Sequence, residues 1–210
     1  MWHFSLMLTA VVSIVACKSL ANSTAQSVML VDTIKPFKKE IPTFGNGDVS
    51  IFYRTAKAKQ KQLGLDSLEN GFADLQLRIW YDFSLVRERK LVVITNKAED
   101  WQATVYNLQV DWNGRTETIV SKQVKNVTPK SGWPSFSTRL LALKIVSLPD
   151  DSNVPGYGLG MDGNTYNVEV ATKNQYRFYG YWEPQHYQDK FWQAKNMAAI
   201  LKLLKEELGV

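Results

Sequence analysis

The groups able to do acid–base, nucleophilic or metal chemistry are few. The 210-residue sequence holds two histidines, His3 and His186, and His3 falls in an apolar N-terminal stretch. A site built on two histidines, or an H-E-x-x-H helix, is therefore out of reach for the rest of the chain. A Ser-His-acid arrangement has only His186, with Glu183 or Asp189 near it in sequence, and no serine sits in a G-x-S-x-G turn. At the start of a helix, His186 reads more simply as a surface or capping residue. Five acids, Asp82, Asp111, Asp162, Glu169 and Glu183, lie on or beside expected strands. Glycoside hydrolysis would need two of them about 5–10 Å apart. The glycines Gly156, Gly158 and Gly160 lack the Lys-Ser/Thr ending and following helix of a phosphate loop, so a flexible loop or turn is expected. No catalytic set, metal site or cofactor is expected from these residues.

The aromatic residues carry more information. In residues 176–182, Tyr176, Phe178, Tyr179, Tyr181 and Trp182 place rings on both faces of an extended chain. One face can fill a core; the other must meet a helix of the same domain, or a sugar or peptide that stacks on it. The candidate ligand-binding set is Trp80, Tyr157, Tyr179, Tyr181 and Trp182.

These residues need elements to hold them. Alternation of apolar and polar residues predicts strands over 75–83, 91–95, 104–112, 115–124, 166–170 and 176–182. Asn113-Gly114 between two such runs predicts a two-residue hairpin, with Trp112 opposite Arg115 and Leu108 opposite Ile119. A helix is expected over 49–63, capped by Asp48 and ended by Gly64, without a clean apolar stripe. Another is expected over 136–148, capped by Ser135 or Ser137. A last one should run from Pro184, its stripe made of Tyr187, Phe191, Ala194, Ala198, Leu201, Leu204 and Leu208. The fold class is α+β: a mostly antiparallel sheet of about six or seven strands, with two or three helices covering one face, including a long C-terminal one. A composition 45% apolar and 21% charged excludes a disordered chain, a collagen and a long coiled coil.

Residues 4–16 are apolar throughout and carry no charge, as does the whole chain before residue 17. This run is too short for a membrane span, which needs about 20 residues, and suits the apolar region of a signal peptide. It ends in Ile14-Val15-Ala16-Cys17, and Cys17 is the sole cysteine. One cysteine makes neither an internal disulfide nor a thiolate metal site. The tetrad resembles the lipobox of bacterial lipoproteins: a branched apolar residue, a variable one, a small one, then cysteine. The resemblance covers the first 17 residues and implies cleavage before Cys17, acylation there (palmitate among the chains), and a domain held at a membrane of the bacterial cell envelope. It departs from the pattern in that Met1-Trp2-His3 has no Lys or Arg. An ordinary signal peptide cut after Ser19-Leu20-Ala21, or a buried apolar helix, are the competing readings.

The organisation expected is a signal peptide at 1–16, a tether at 17–47 rich in Ser, Asn, Pro and Gly, and one domain at 48–210, with residues 28–31 a short apolar patch able to add an edge strand. The formal charge is +5, concentrated in lysines such as Lys35, Lys38, Lys39, Lys57, Lys59 and Lys61. No nucleic-acid recognition motif accompanies it, so a nucleic-acid partner is not expected. The segment 162–179 resembles uncharacterised bacterial envelope proteins. Together these imply an envelope lipoprotein that binds a protein or glycan partner without catalysis. A carbohydrate hydrolase using two carboxylates, and an inhibitor or immunity-type protein, are the alternatives.

Overall fold

A computed structural model describes residues 36–43, 46–83, 86–112, 114, 117–158, 160 and 162–210. Cys17, the apolar run before it and the patch at 28–31 lie outside the described residues.

Seven strands form one sheet in the order β1-β7-β6-β2-β3-β4-β5. They are β1 (Lys38–Glu40), β2 (Leu75–Phe83), β3 (Glu88–Lys97), β4 (Asp100–Trp112), β5 (Glu117–Val127), β6 (Asn164–Thr172) and β7 (Gln175–Trp182). Every pairing is antiparallel except β1 with β7. Only a few residues separate β2 from β3, β3 from β4, β4 from β5 and β6 from β7, which antiparallel neighbours permit. The helices are α1 (Ile51–Leu63), α2 (Trp133–Ala142), the single turn α3 (Pro184–Tyr187) and the 17-residue α4 (Trp192–Leu208). The α+β class and the mostly antiparallel sheet are as the residue pattern implies. The sheet also reaches into the stretch expected as tether. Lys38 and Glu40 pair with Gln175 and Arg177, and Arg177 ties the strand down through an ion pair to Glu40.

Helices cover both faces of the sheet, not one. Because successive strand residues point to opposite sides, Leu77, Ile79 and Tyr81 join Tyr179, Tyr181 and the apolar stripe of α4 in one core, with Phe136 and Leu140 of α2. Trp80, Leu91, Leu108, Tyr176 and Phe178 form a second core under α1. The doubly aromatic strand β7 thus serves two cores of the same domain.

Several boundaries differ from expectation for identifiable reasons. The cap of α1 is Ser50, whose hydroxyl accepts from Phe52 N at 3.3 Å. Val49 bridges Thr43, which keeps the chain extended past Asp48. Gly64 ends the helix in the left-handed conformation, φ 68°. α2 begins earlier, at Trp133, with Pro134 in its first turn and Gly132 at the cap; neither Ser135 nor Ser137 caps it. It stops at Ala142, and the β-branched Ile145 and Val146 lie beyond it. The β4–β5 hairpin is present, but Trp112 pairs with Glu117 and Val110 with Ile119, so four residues separate the strands. A bulge between Gln109 and Val110 then sets Leu108 opposite Lys122.

The last helix is broken. Pro184 starts α3, Phe191 is extended at φ −128°, and α4 begins at Trp192. Tyr187 and Phe191 hold their rings 4.5 and 5.4 Å from Tyr157 instead of joining the α4 stripe. The remainder of that stripe, Ala194, Ala198, Leu201, Leu204 and Leu208, is buried.

Candidate functional site

The five aromatic candidates do not share one exposed platform. Trp80 is 1% exposed, lies under α1 and donates its indole N–H to Glu169 at 2.9 Å. Tyr179 and Tyr181 are buried on the opposite face, donating to the carbonyls of Ile145 and Pro149. Tyr157 links the two regions: its ring meets Tyr181 edge to face at 5.7 Å, and it stands beside Trp182 in a half-buried cluster with Tyr187 and Phe191. Tyr157 donates to the carbonyl of Trp182 at 2.9 Å. The glycine-rich loop serves this cluster: a Cβ on Gly160 would run into the Trp182 ring. Its glycines allow close approach to an indole.

Two of the five acids, Glu169 and Asp82, are committed to internal cations. Glu169, fully buried, accepts from Trp80, from the Tyr176 hydroxyl at 2.8 Å and from Lys57 Nζ at 2.8 Å. Burial of the Tyr176 hydroxyl, and after it the Glu169 charge, hold it above the usual tyrosine range. Asp82 pairs with Lys59, lies 3.7 Å from Arg89, and accepts from the Asn167 amide at 3.1 Å. Lys59 is also 2.8 Å from Glu117, which Arg89 pairs in turn. Lys57 and Lys59, two residues apart on α1, diverge by about 200° around the helix. They therefore reach Glu169 on β6 and the Asp82–Glu117 pair on β2 and β5, respectively. Of the other acids, Asp111 pairs with Arg87 on the surface and Asp162 is exposed before β6. Glu183 accepts from Asn164 N and stands 3.9 Å from the exposed His186. Among the described residues, no group of three His, Cys, Asp or Glu could hold a metal ion.

Two further carboxylates were not singled out from sequence. Beyond the end of β1, the outer edge of β7 has backbone donors with no strand beside them. Asp150 accepts from Gly180 N at 2.8 Å and Asp151 from Trp182 N at 2.9 Å. Burial pushes the Asp151 carboxyl up to about 7, against the Trp182 hydrogen bond and with the help of Asp150. The sequence Pro-Asp-Asp-Ser-Asn signals a turn but not the edge it protects.

Two concavities stand out among the described residues. One, of about 440 Å³, lies against Arg78 at the end of α1. Arg78 is 2% exposed and donates Nη2 to the Asp66 carbonyl at 2.8 Å, while Nε and Nη1 have no hydrogen-bond partner. The larger, of about 660 Å³, opens between α4 and the other face of the sheet. Its floor is apolar, from Tyr81, Tyr166, Ala198 and Leu201, and Lys90, Lys195, Lys202 and Lys205 surround it. Tyr81 and Tyr166 meet edge to face at 5.3 Å. Lys90 stands 5.8 Å over the Tyr81 ring. Burial holds the Lys90 ammonium below the usual lysine range; Glu88 opposes this and Lys205 adds to it. Lys202 pairs loosely with Glu206 at 3.8 Å, and the other three lysines enter no ion pair among the described residues. The sequence hides this cluster because Lys90 lies on β3 and its companions on α4.

Compared with protein-family models, with curated proteins and with solved structures, the chain has no match.

Proposed function

We propose that this chain is a lipoprotein of the bacterial cell envelope, acylated at Cys17, whose folded domain binds a partner without transforming it. The observation that carries the location is the sole cysteine standing directly after a 13-residue uncharged apolar run, in Ile14-Val15-Ala16-Cys17. A single acyl chain holds a protein only reversibly, at about 0.8 kcal/mol per buried CH₂, so acylation at both sulfur and amine is the stable form. What supports a binding role is how the chain uses its charges. Asp82, Glu117 and Glu169 are paired with Lys57, Lys59 and Arg89 inside the domain, which keeps them out of hydrogen-bond reach of a substrate. Lysines with no such partner stand around an open concavity.

The test of the anchor is metabolic labelling with an alkyne-bearing palmitate analogue, with membrane fractionation alongside. Wild-type protein should label and sediment with membranes; Cys17→Ser should do neither. A Cys17→Ser protein that labels and fractionates like wild type overturns the reading.

A further inference from the structure

We infer that the concavity between α4 and the sheet binds a small phosphate monoester with an apolar or ring-shaped body. The inference deepens the binding role proposed above and rests on it for its biological setting, though not for its chemistry.

The first ground is charge. Elsewhere in the domain, Lys57, Lys59, Arg89 and Arg177 each face a carboxylate. Around the concavity the opposite holds: Lys90, Lys195 and Lys205 enter no ion pair among the described residues, Glu88 acting on Lys90 only from a distance, and Lys202 has only the exposed Glu206. Like charges gathered without counter-charges repel one another, and an anion placed among them relieves the repulsion. Lys90 and Lys205 come from separate elements and already feel each other. A phosphate monoester carries about −1.5 to −2 at pH 7 and three acceptor oxygens, which suits three uncompensated ammonium groups better than a single carboxylate does.

The second ground is the floor. Lys195, Lys202 and Lys205 follow one another along a single side of α4, and between them stand Ala198 and Ala199. Those short side chains let a ligand approach the helix, while Leu201 and the edges of Tyr81 and Tyr166 give it an apolar surface. Bare phosphate would leave that surface in water. The amides of Gln185 and Gln188 stand at the rim to accept or donate hydrogen bonds. The volume, about 660 Å³, lies within the range of about 300–1,000 Å³ found for small-molecule sites. A concave site of this size fits one molecule, whereas a membrane surface calls for an exposed convex basic patch.

The experiment is titration calorimetry on the full chain with three probes: phenyl phosphate, inorganic phosphate and vesicles containing phosphatidic acid. Phenyl phosphate should bind about tenfold or more tightly than inorganic phosphate. Lys195→Gln/Lys205→Gln should weaken it by about tenfold or more. The charge-matched Lys61→Gln/Lys122→Gln variant, altered on α1 and β5 at the opposite face, should bind as wild type does. The inference is overturned if phenyl phosphate does not bind, if both variants weaken binding equally, or if only the vesicles bind. Palmitate labelling reads the anchor separately. A labelled protein that fails to bind sinks this inference alone, and an unlabelled protein that binds sinks the anchor alone.

Discussion

Glu169 on β6 accepts the indole N–H of Trp80 from the adjoining strand at 2.9 Å, and water reaches neither residue. A carboxylate so placed is sustained only by its other partners, Tyr176 and Lys57. Removing the carboxylate strands two donors and a cation beneath α1. Glu169→Ala should therefore lose about 3–5 kcal/mol, the range for breaking a buried pair. Urea unfolding followed by tryptophan emission checks this, since Trp80 reports the same locus. A loss under about 1 kcal/mol, the scale of an exposed pair, would contradict it.

The sheet's outer edge carries a pH signature. Burial pushes the Asp151 carboxyl up to about 7 in the folded protein, from the ordinary 3.8 of an exposed aspartate. Between those values the folded state holds a proton that the unfolded state has released. Stability contributed by this group is therefore full below the lower value, falls as pH rises through the window, and is level above it. Asp151→Asn keeps an acceptor for Trp182 N–H and removes the titration. The melting temperature of wild type relative to Asp151→Asn should fall between about pH 4 and pH 7. A difference that stays flat across that interval counts against the burial assigned to Asp151.

Gly180 is the one small residue in the aromatic strand, and its place is dictated by the next strand. A Cβ there would sit 2.6 Å from Asn167 Oδ1. Asn167 is fully buried and donates to Asp82, so it cannot swing aside freely. Gly180→Ala should cost about 1–3 kcal/mol, as overpacking does. Differential scanning calorimetry measures it, and an unchanged melting temperature would mean that Asn167 yields.

The parts legible from sequence are those where one pattern governs one element. Alternation in Leu77, Ile79 and Tyr81 marks β2 because one side of the strand meets α4. The run from Ala194 to Leu208 marks α4 for the same reason. The face of α1 that packs, Tyr53, Ala56, Lys59, Gln60 and Leu63, was not legible, because periodicity counts lysine and glutamine as outward. Here Lys59 points inward, 1% exposed, drawn by Asp82 and Glu117, which lie 23 and 58 residues further along the chain. Ile51 and Phe52, apolar at the start of the helix, are exposed, which is why no clean apolar stripe is visible. The aromatic candidates failed as a set because residue type shows where rings lie on a strand, not how many layers cover it. The lysines at the concavity show the same limit: β3 and α4 each look ordinary, and only their meeting is informative.

Lys59 and Arg78 are both cations buried on the α1 side of the sheet, and their removal should have unequal effects. Lys59 is held by two carboxylates, Asp82 and Glu117. Lys59→Met leaves both, 18% and 12% exposed, with Arg89 as their remaining cation, and should cost about 3 kcal/mol, the low end for breaking a buried pair. Arg78 donates one hydrogen bond, to the Asp66 carbonyl, while Nε and Nη1 stay unmatched, and burial lowers its pKa against the pull of Glu169. Each unmatched buried donor costs about 1–3 kcal/mol. Arg78→Met removes those costs with a side chain of similar length, and Glu169 retains Lys57. That variant should fall within about 1 kcal/mol of wild type, or exceed it. Parallel urea titrations of the two variants decide the matter. Equal losses would mean that Arg78 is as well satisfied as Lys59, with the missing acceptors supplied by solvent or ligand oxygens in the adjoining 440 Å³ concavity.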